Sequence, residues 1–110
     1  MAELSKETEE KIAQLQLYEQ GLQKILMQKQ QFQSNLVETD SALTELEKAQ
    51  EAYKIIGNVM IASKKEDLKK DLESKKETFS LRIKTLEKQE NQIREKAKKL
   101  QEEISKKISE

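Results

Sequence analysis

This 110-residue chain contains no cysteine and no histidine, two residues that enzymes often use as nucleophile and general base. Thiolate chemistry and nucleophile–histidine pairs are therefore excluded. Carboxylates are abundant, and adjacent ones such as Glu9 with Glu10 and Glu102 with Glu103 could bind a metal ion or transfer protons. Both pairs lie near lysines in charged stretches, whereas acid–base catalysis requires a desolvated carboxylate with a shifted pKa. We interpret them as solvated helix surface and predict no enzymatic activity, no metal site and no cofactor.

The sequence likewise contains no pattern that indicates a binding site for phosphate groups or nucleic acids. The chain has only two glycines and no glycine-rich phosphate loop. Lys96, Lys98 and Lys99 form a local basic cluster, but acidic residues flank it, and 21 basic residues are balanced by 21 acidic ones. Nucleic-acid binders usually carry a basic excess on one face. We therefore expect no nucleic-acid partner.

Hydrophobic segments are too short for a membrane protein. The longest uninterrupted apolar run is residues 59–62, whereas a membrane-spanning helix needs about 20 residues. The first residues, Met-Ala-Glu-Leu-Ser-Lys, lack the apolar core of a signal peptide. Since the absence of cysteine also fits a reducing compartment, we predict a cytoplasmic protein with no membrane partner.

The composition favours long helices over a thick globular core. Charged residues make up 38% of the chain and the hydrophobic set only 35%, with four aromatic side chains. Proline is absent, so little interrupts a helix. We predict a mainly α fold with a single domain over residues 1–110.

A first long helix is predicted over about residues 4–50, where apolar residues recur with heptad spacing. Most positions a and d are apolar over six heptads, which indicates a coiled coil. Lys29 at a and Thr39 at d interrupt the pattern in its middle. The apolar members are Leu15, Leu22, Leu36 and Leu43 at a, and Leu4, Tyr18, Ile25, Phe32 and Leu46 at d.

A second long helix is predicted over about residues 63–109. Ser63 and Glu66 have the spacing of an N-terminal capping box. Residues 1–50 carry a net charge of −4 and residues 51–110 one of +4, so the two helices should attract each other and pair as an antiparallel coiled coil. Large apolar residues recur at every seventh position: Leu72, Phe79, Leu86, Ile93 and Leu100.

Residues 51–62, between the helices, are predicted to form a tight β-hairpin. Residues 53–61 are Tyr-Lys-Ile-Ile-Gly-Asn-Val-Met-Ile, the only stretch rich in β-branched residues. Gly57 and Asn58 suit a two-residue type II′ turn, whose first central residue has a positive φ. Both faces are largely apolar and both edges are open, so the hairpin needs strands from other subunits. The predicted assembly residues are Tyr53, Ile55, Ile56, Gly57, Val59, Met60 and Ile61.

The turn also predicts the register of the two helices. Symmetry about the turn centre places Lys29 opposite Leu86 and Ile25 opposite Glu90. These are the two poor layers of the coiled coil, in which a charged residue faces an apolar one. The long stems of lysine and glutamate can cover apolar surface while their charged ends reach water. Other layers are apolar: Leu43 with Leu72, Leu36 with Phe79, Phe32 with Ile83, and Leu22 with Ile93.

The free ends of the two helices carry apolar residues that this register leaves without a closed seam. One interpretation is ordinary fraying of the coiled-coil ends. The other is a partly exposed apolar tip that binds segments of unfolded proteins, because flexible apolar surfaces repack around different partners. The tip residues are Leu4, Ile12, Leu15, Leu100, Ile104 and Ile108.

The order of these segments resembles a known family. A long helix, the hairpin sequence at 53–61, then Ser-Lys-Lys-Glu-Asp-Leu at 63–68 and a second long helix resemble the β class of prefoldin subunits, of the archaeal type. The single hairpin is the specific feature, since α-class subunits carry two. The resemblance implies a hetero-hexamer of two α and four β subunits whose hairpins form a β-barrel, where we expect Tyr53, Ile55 and Met60 to face the interior.

The same resemblance implies a function. It suggests an ATP-independent chaperone that captures unfolded client proteins at the coiled-coil tips and delivers them to a group II chaperonin. Two alternatives stay open. A nucleic-acid-gripping arm is disfavoured by the zero net charge, and steeply salt-dependent binding would support it. A structural spacer predicts sealed tips and no effect on unfolded proteins.

Overall fold

Two long helices separated by a β-hairpin make up the computed structural model, which describes residues 5–109. Helix α1 spans Lys6–Lys48, strand β1 Ala52–Ile56, strand β2 Val59–Ser63 and helix α2 Lys65–Ser109. The predicted order of elements, a central hairpin between two long helices, is thereby confirmed. The hairpin extends one residue further than predicted, to Ser63.

Ser5 caps the N-terminus of α1. Its hydroxyl oxygen accepts a hydrogen bond from the Thr8 amide at 3.1 Å, and its carbonyl oxygen accepts one from the Glu9 amide at 3.0 Å. The hydroxyl oxygens of Ser5 and Thr8 also lie 2.8 Å apart. These contacts satisfy amides that the first turn of a helix otherwise leaves unpaired, so α1 begins at Lys6.

Helix α2 does not begin with the predicted capping box at Ser63. Ser63 pairs with Ala52 in the β-ladder, so its backbone still belongs to the strand. The carbonyl oxygen of Lys64 accepts from the Leu68 amide at 3.1 Å, and the helix proper begins at Lys65. The prediction was wrong by one residue because the hairpin ladder continues past its expected end.

The hairpin has the predicted register and turn. Ile56 pairs with Val59 and Ile55 with Met60 in an antiparallel ladder. Gly57 has a φ of 60°, and no other residue within 5–109 has a positive φ. A positive φ at the first central residue alone is typical of a type II′ turn, in agreement with the Gly-Asn prediction.

Helix packing follows the predicted heptad seam. In α1, every a and d position from Lys11 to Leu46 is buried or half-buried. In α2, the same holds for the a and d positions from Leu72 to Ile104, apart from Lys76, which is exposed. The ammonium of Lys76 lies 2.8 Å from a carboxylate oxygen of Asp40, so this outlying seam position forms an ion pair at the surface.

Two compact units make up the chain, and each contains its own part of the seam. The hairpin unit is Gln30–Lys84. In it, the rings of Phe32 and Phe79 have centroids 6.1 Å apart, and the guanidinium carbon of Arg82 lies 5.8 Å from the centroid of Phe32. Thr39, at a d position, is 6% exposed, and its hydroxyl donates to the Asn35 carbonyl at 2.8 Å. This hydrogen bond allows a polar side chain inside the seam.

The terminal unit comprises the described residues on either side, 5–29 and 85–109. Its buried side chains are Thr8, Ile25, Leu86 and Ile104. The alternation of buried and exposed positions follows the heptad spacing on both helices, as expected for a seam only one or two side chains wide.

Candidate functional site: the hairpin and the helix ends

The apolar side chains of the hairpin lie open to solvent in the single chain. Exposed apolar surface of this extent usually marks an interaction site. An isolated two-stranded hairpin is also only marginally stable in water, so it gains stability from added strands. The structure therefore brings the sequence-predicted assembly residues together on one small sheet. Their exposed fractions are Tyr53 51%, Ile55 69%, Ile56 56%, Val59 58%, Met60 65% and Ile61 47%.

Two lysines link the elements next to the hairpin. The Lys65 ammonium donates to the carbonyl oxygens of Glu47 at 2.8 Å and Ala49 at 3.2 Å, which caps the C-terminal end of α1. The Lys54 ammonium lies 3.6 Å from a carboxylate oxygen of Asp71, which links β1 to α2. Sequence reasoning missed both contacts, since lysine occurs throughout the second half of the chain and its spacing carries no signal.

A cleft of about 530 Å³ lies beneath strand β1. Its floor consists of small and branched apolar residues, and charged residues stand at its edge. Tyr53 and Ile55 border the cleft, so these two hairpin side chains face partly towards the helix ends and partly towards solvent. The apolar floor is formed by Leu46, Ala49, Ala52, Leu68 and Leu72.

Tyr53 has a polar partner at its outer end. Its hydroxyl donates to a carboxylate oxygen of Glu51 at 2.8 Å. This hydrogen bond to a carboxylate, with a smaller contribution from desolvation, raises the pKa of Tyr53 above its ordinary value of 10.0. The phenol donates this hydrogen bond at its outer end, and Tyr53 borders the cleft with the apolar remainder of its side chain.

The helix ends are only partly open. Ile108 is 62% exposed, whereas Ile104 is 8% exposed and Thr8 is 4% exposed, so the seam closes before the last turn of α2. Ile104 is thus covered, contrary to the expectation of an open seam at this position. Of the other predicted tip residues, Ile12, Leu15 and Leu100 are half-buried, and Leu4 lies outside the described residues.

Lys11 explains how the seam closes next to a charge. Its side chain is 25% exposed, and its ammonium lies 3.4 Å from a carboxylate oxygen of Glu103 and 3.8 Å from one of Glu7. The stem is largely covered while the charged end reaches acidic partners at the surface. A seam lysine near the tip is therefore compatible with a buried Ile104.

The carboxylates considered for chemistry are dispersed. Glu9, Glu10, Glu102 and Glu103 are exposed, and within residues 5–109 no three acidic side chains are grouped closely enough to hold a metal ion. None of the helices described is long and apolar enough to cross a bilayer.

Comparison with known proteins gives consistent matches along the chain. A model of the prefoldin-subunit family matches residues 9–110. Prefoldin subunit beta of Archaeoglobus fulgidus is 39% identical over 112 aligned residues, which cover 99% of this chain and 97% of the relative. Prefoldin subunit beta of Pyrococcus furiosus is 38% identical, over 84% of this chain and 82% of the relative.

Solved structures agree with the sequence matches. The crystal structure of the prefoldin beta subunit from Thermococcus strain KS-1 superimposes with a TM-score of 0.89. It covers 96% of each chain at 32% sequence identity. The likeness therefore extends over the helices and the hairpin together.

Proposed function

The chain belongs to the prefoldin family of chaperone subunits, and we propose that it is the β-class subunit of an ATP-independent chaperone. The proposed complex is a hetero-hexamer of two α and four β subunits in the cytoplasm. It captures unfolded proteins and delivers them to a group II chaperonin. This proposal rests on the family assignment and on the apolar side chains of the hairpin and of the helix ends that are exposed in the single chain.

The exposure of the hairpin is the observation that carries the proposal. Six apolar side chains there are between 47% and 69% exposed, although Lys54 of the hairpin forms an ion pair with Asp71 of α2. A preorganised strand pair with free edges is suited to adding strands from neighbouring subunits. An intersubunit β-barrel buries these side chains and removes the edges.

Client capture is assigned to the helix ends. Ile108 is a large apolar side chain that is 62% exposed beyond the closed part of the seam. Lys106 and Lys107 precede it and keep the last turn soluble. An unfolded protein presents apolar segments that such a side chain can contact transiently, in keeping with weak and promiscuous binding. Leu4, Ile12, Leu15, Leu100 and Ile104 are proposed to support this surface.

A structural spacer is the second candidate function. The burial of Ile104 and Thr8 favours it, because a sealed seam leaves little apolar surface at the tip. The spacer differs from the chaperone subunit in one measurable respect, since it has no effect on unfolded proteins.

The test is the aggregation of a denatured client protein followed by light scattering, without nucleotide. The chain is first assembled with its two-hairpin α partner. Chains carrying Ile108→Ser, or ending after Ile104, are compared with the intact chain, and Lys107→Ser is the matched control. Because Ile104 is covered and Ile108 is exposed, both changes leave the buried seam in place.

We expect the intact complex and the Lys107→Ser complex to suppress aggregation, and both altered tips to suppress it less. If the intact complex has no effect on aggregation, the chaperone function is wrong and the spacer takes its place. If all four complexes suppress aggregation equally, the function holds but the tip is not the client site.

A further inference from the structure

Between residues 13 and 29, the outer face of α1 carries few of the charges that usually cover the solvent side of a coiled coil. The outer positions b, c and f between residues 13 and 29 are all exposed, and only one of the seven is charged. Leu17 is 58% exposed and Met27 is 70% exposed on this face. We call these seven positions the glutamine face: Ala13, Gln16, Leu17, Gln20, Gln23, Lys24 and Met27.

Helix α2 provides the contrast within the same unit. Its b, c and f positions from residue 85 to residue 102 are also exposed, and five of these eight are charged. Low charge is therefore a property of residues 13–29 of α1 and not of the unit as a whole. The charged members on α2 are Lys88, Glu95, Lys98, Lys99 and Glu102.

The glutamine face does not have the pattern of a permanent helix–helix interface. Such an interface needs apolar residues at each three- or four-residue step, whereas Leu17 and Met27 are ten residues apart on this face, with two glutamines and Lys24 between them. Their separation along the helix is about 15 Å, which an extended peptide of about five residues spans. The area is thus suited to a short extended segment and too small for a stable dimer.

The chemistry of the face agrees with an unfolded polypeptide as occupant. Each glutamine amide can donate to and accept from peptide groups, which an unfolded chain presents along its whole length. The flexible thioether of Met27 adapts to different apolar side chains. A nearly uncharged surface also imposes no selection on the net charge of the segment that it binds.

We propose that the glutamine face of α1 is a second client-contact surface, which binds short extended segments of unfolded proteins beside the helix. The inference rests on the proposed chaperone function. It extends client contact from the last turn of α2 to the side of α1. Leu17 and Met27 are the two apolar contact points, and the glutamines between them bind the client backbone.

Site-specific photo-crosslinking tests the proposal on the complex assembled with the α partner. A photoreactive amino acid is placed at Gln20, at Glu95 or at Ile108, and the complex is illuminated with a denatured client. Gln20 and Glu95 are both f positions, so they form a matched pair that differs in the surrounding face. We expect several-fold more client crosslinking at Gln20 than at Glu95, together with crosslinking at Ile108.

A substitution experiment gives an independent measurement. The double variant Leu17→Gln, Met27→Gln removes both apolar contacts from exposed positions, and we expect several-fold more complex to be needed for half-suppression of client aggregation. The exchanged variant Leu17→Met, Met27→Leu keeps the apolar contacts and should behave as the original chain.

The outcomes separate this inference from the chaperone function. Crosslinking to the client at Ile108 alone would overturn the second surface and leave the function standing. Equal yields at Gln20 and Glu95, or crosslinking of Gln20 to another subunit, would also overturn it. A complex that neither crosslinks to the client anywhere nor suppresses its aggregation would contradict the function itself.

Discussion

The ammonium of Lys29 lies 3.0 Å from a carboxylate oxygen of Glu90, and both residues occupy seam positions of the coiled coil. Symmetry about the turn had set each of them opposite an apolar residue, in two poor layers. Instead the two polar side chains pair diagonally, and Arg94 contacts the second Glu90 oxygen at 2.9 Å. Ile25 and Leu86 are consequently covered, at 7% and 8% exposure.

This pair predicts a non-additive response to substitution. Lys29→Leu leaves Glu90 with Arg94 as its remaining partner, and Glu90→Leu leaves the covered Lys29 ammonium without this ion pair. Each single change should therefore lower the urea midpoint of unfolding measured by circular dichroism, and Glu90→Leu should lower it more. The combined variant Lys29→Leu, Glu90→Leu continues the apolar seam and should recover most or all of the lost stability, because it removes a desolvated ion pair. A combined variant less stable than both single variants would refute this account.

Glu90 also predicts a dependence of stability on pH. Hydrogen bonds from Arg94 and then Lys29 hold the pKa of Glu90 below its ordinary value of 4.5. A lowered pKa in the folded state means that the carboxylate stabilises the fold above pH 4.5, and that this contribution is lost as the pH falls through the lowered pKa.

The stability difference between the original chain and Glu90→Gln should therefore be constant above about pH 6 and shrink as the pH falls below 4.5. Unfolding curves at several pH values measure it, with Glu87→Gln on the exposed side of α2 as the control. A difference that stays unchanged down to about pH 3 would exclude Glu90 as the source.

Gly21 and Gly57 should respond in opposite ways to alanine. A Cβ at Gly21 would lie 3.9 Å from the Ile93 Cδ1, an ordinary contact, so Gly21→Ala should stabilise the helix by about 1 kcal/mol. Gly57 has a φ of 60°, which strains an L-residue, so Gly57→Ala should destabilise the hairpin by about 1–2 kcal/mol. Unfolding in urea measures both changes, and a destabilising Gly21→Ala would show that the helix needs its flexibility there.

Ile55→Asp should prevent assembly while leaving the helices intact. Ile55 is 69% exposed in the single chain and is proposed to be buried between subunits, where an unpaired carboxylate is costly. Light scattering coupled to gel filtration, after mixing with the α partner, should show small species with nearly unchanged helix content. Val37→Asp is the control, since Val37 is 64% exposed on α1. A variant of Ile55 that still elutes at hexamer size would count against the hairpin as the assembly unit.

Local patterns were sufficient for the fold. Heptad spacing located both helices and the covered positions of their seam, and Gly57-Asn58 defined the hairpin register and its turn type. The start of α2 was misplaced by one residue because a serine with capping-box spacing also continues a strand ladder, and the sequence does not rank these two local options.

The sequence by itself determined the order of elements, the apolar seam and the exposed hairpin, because periodicity and turn chemistry act between residues close in the chain. Only the tertiary structure decided that Lys29 pairs with Glu90, that Ile104 is covered while Ile108 is open, and that Lys65 caps α1. Each of these depends on distances between side chains on different elements. A long charged side chain can reach several partners, and packing selects which one it meets.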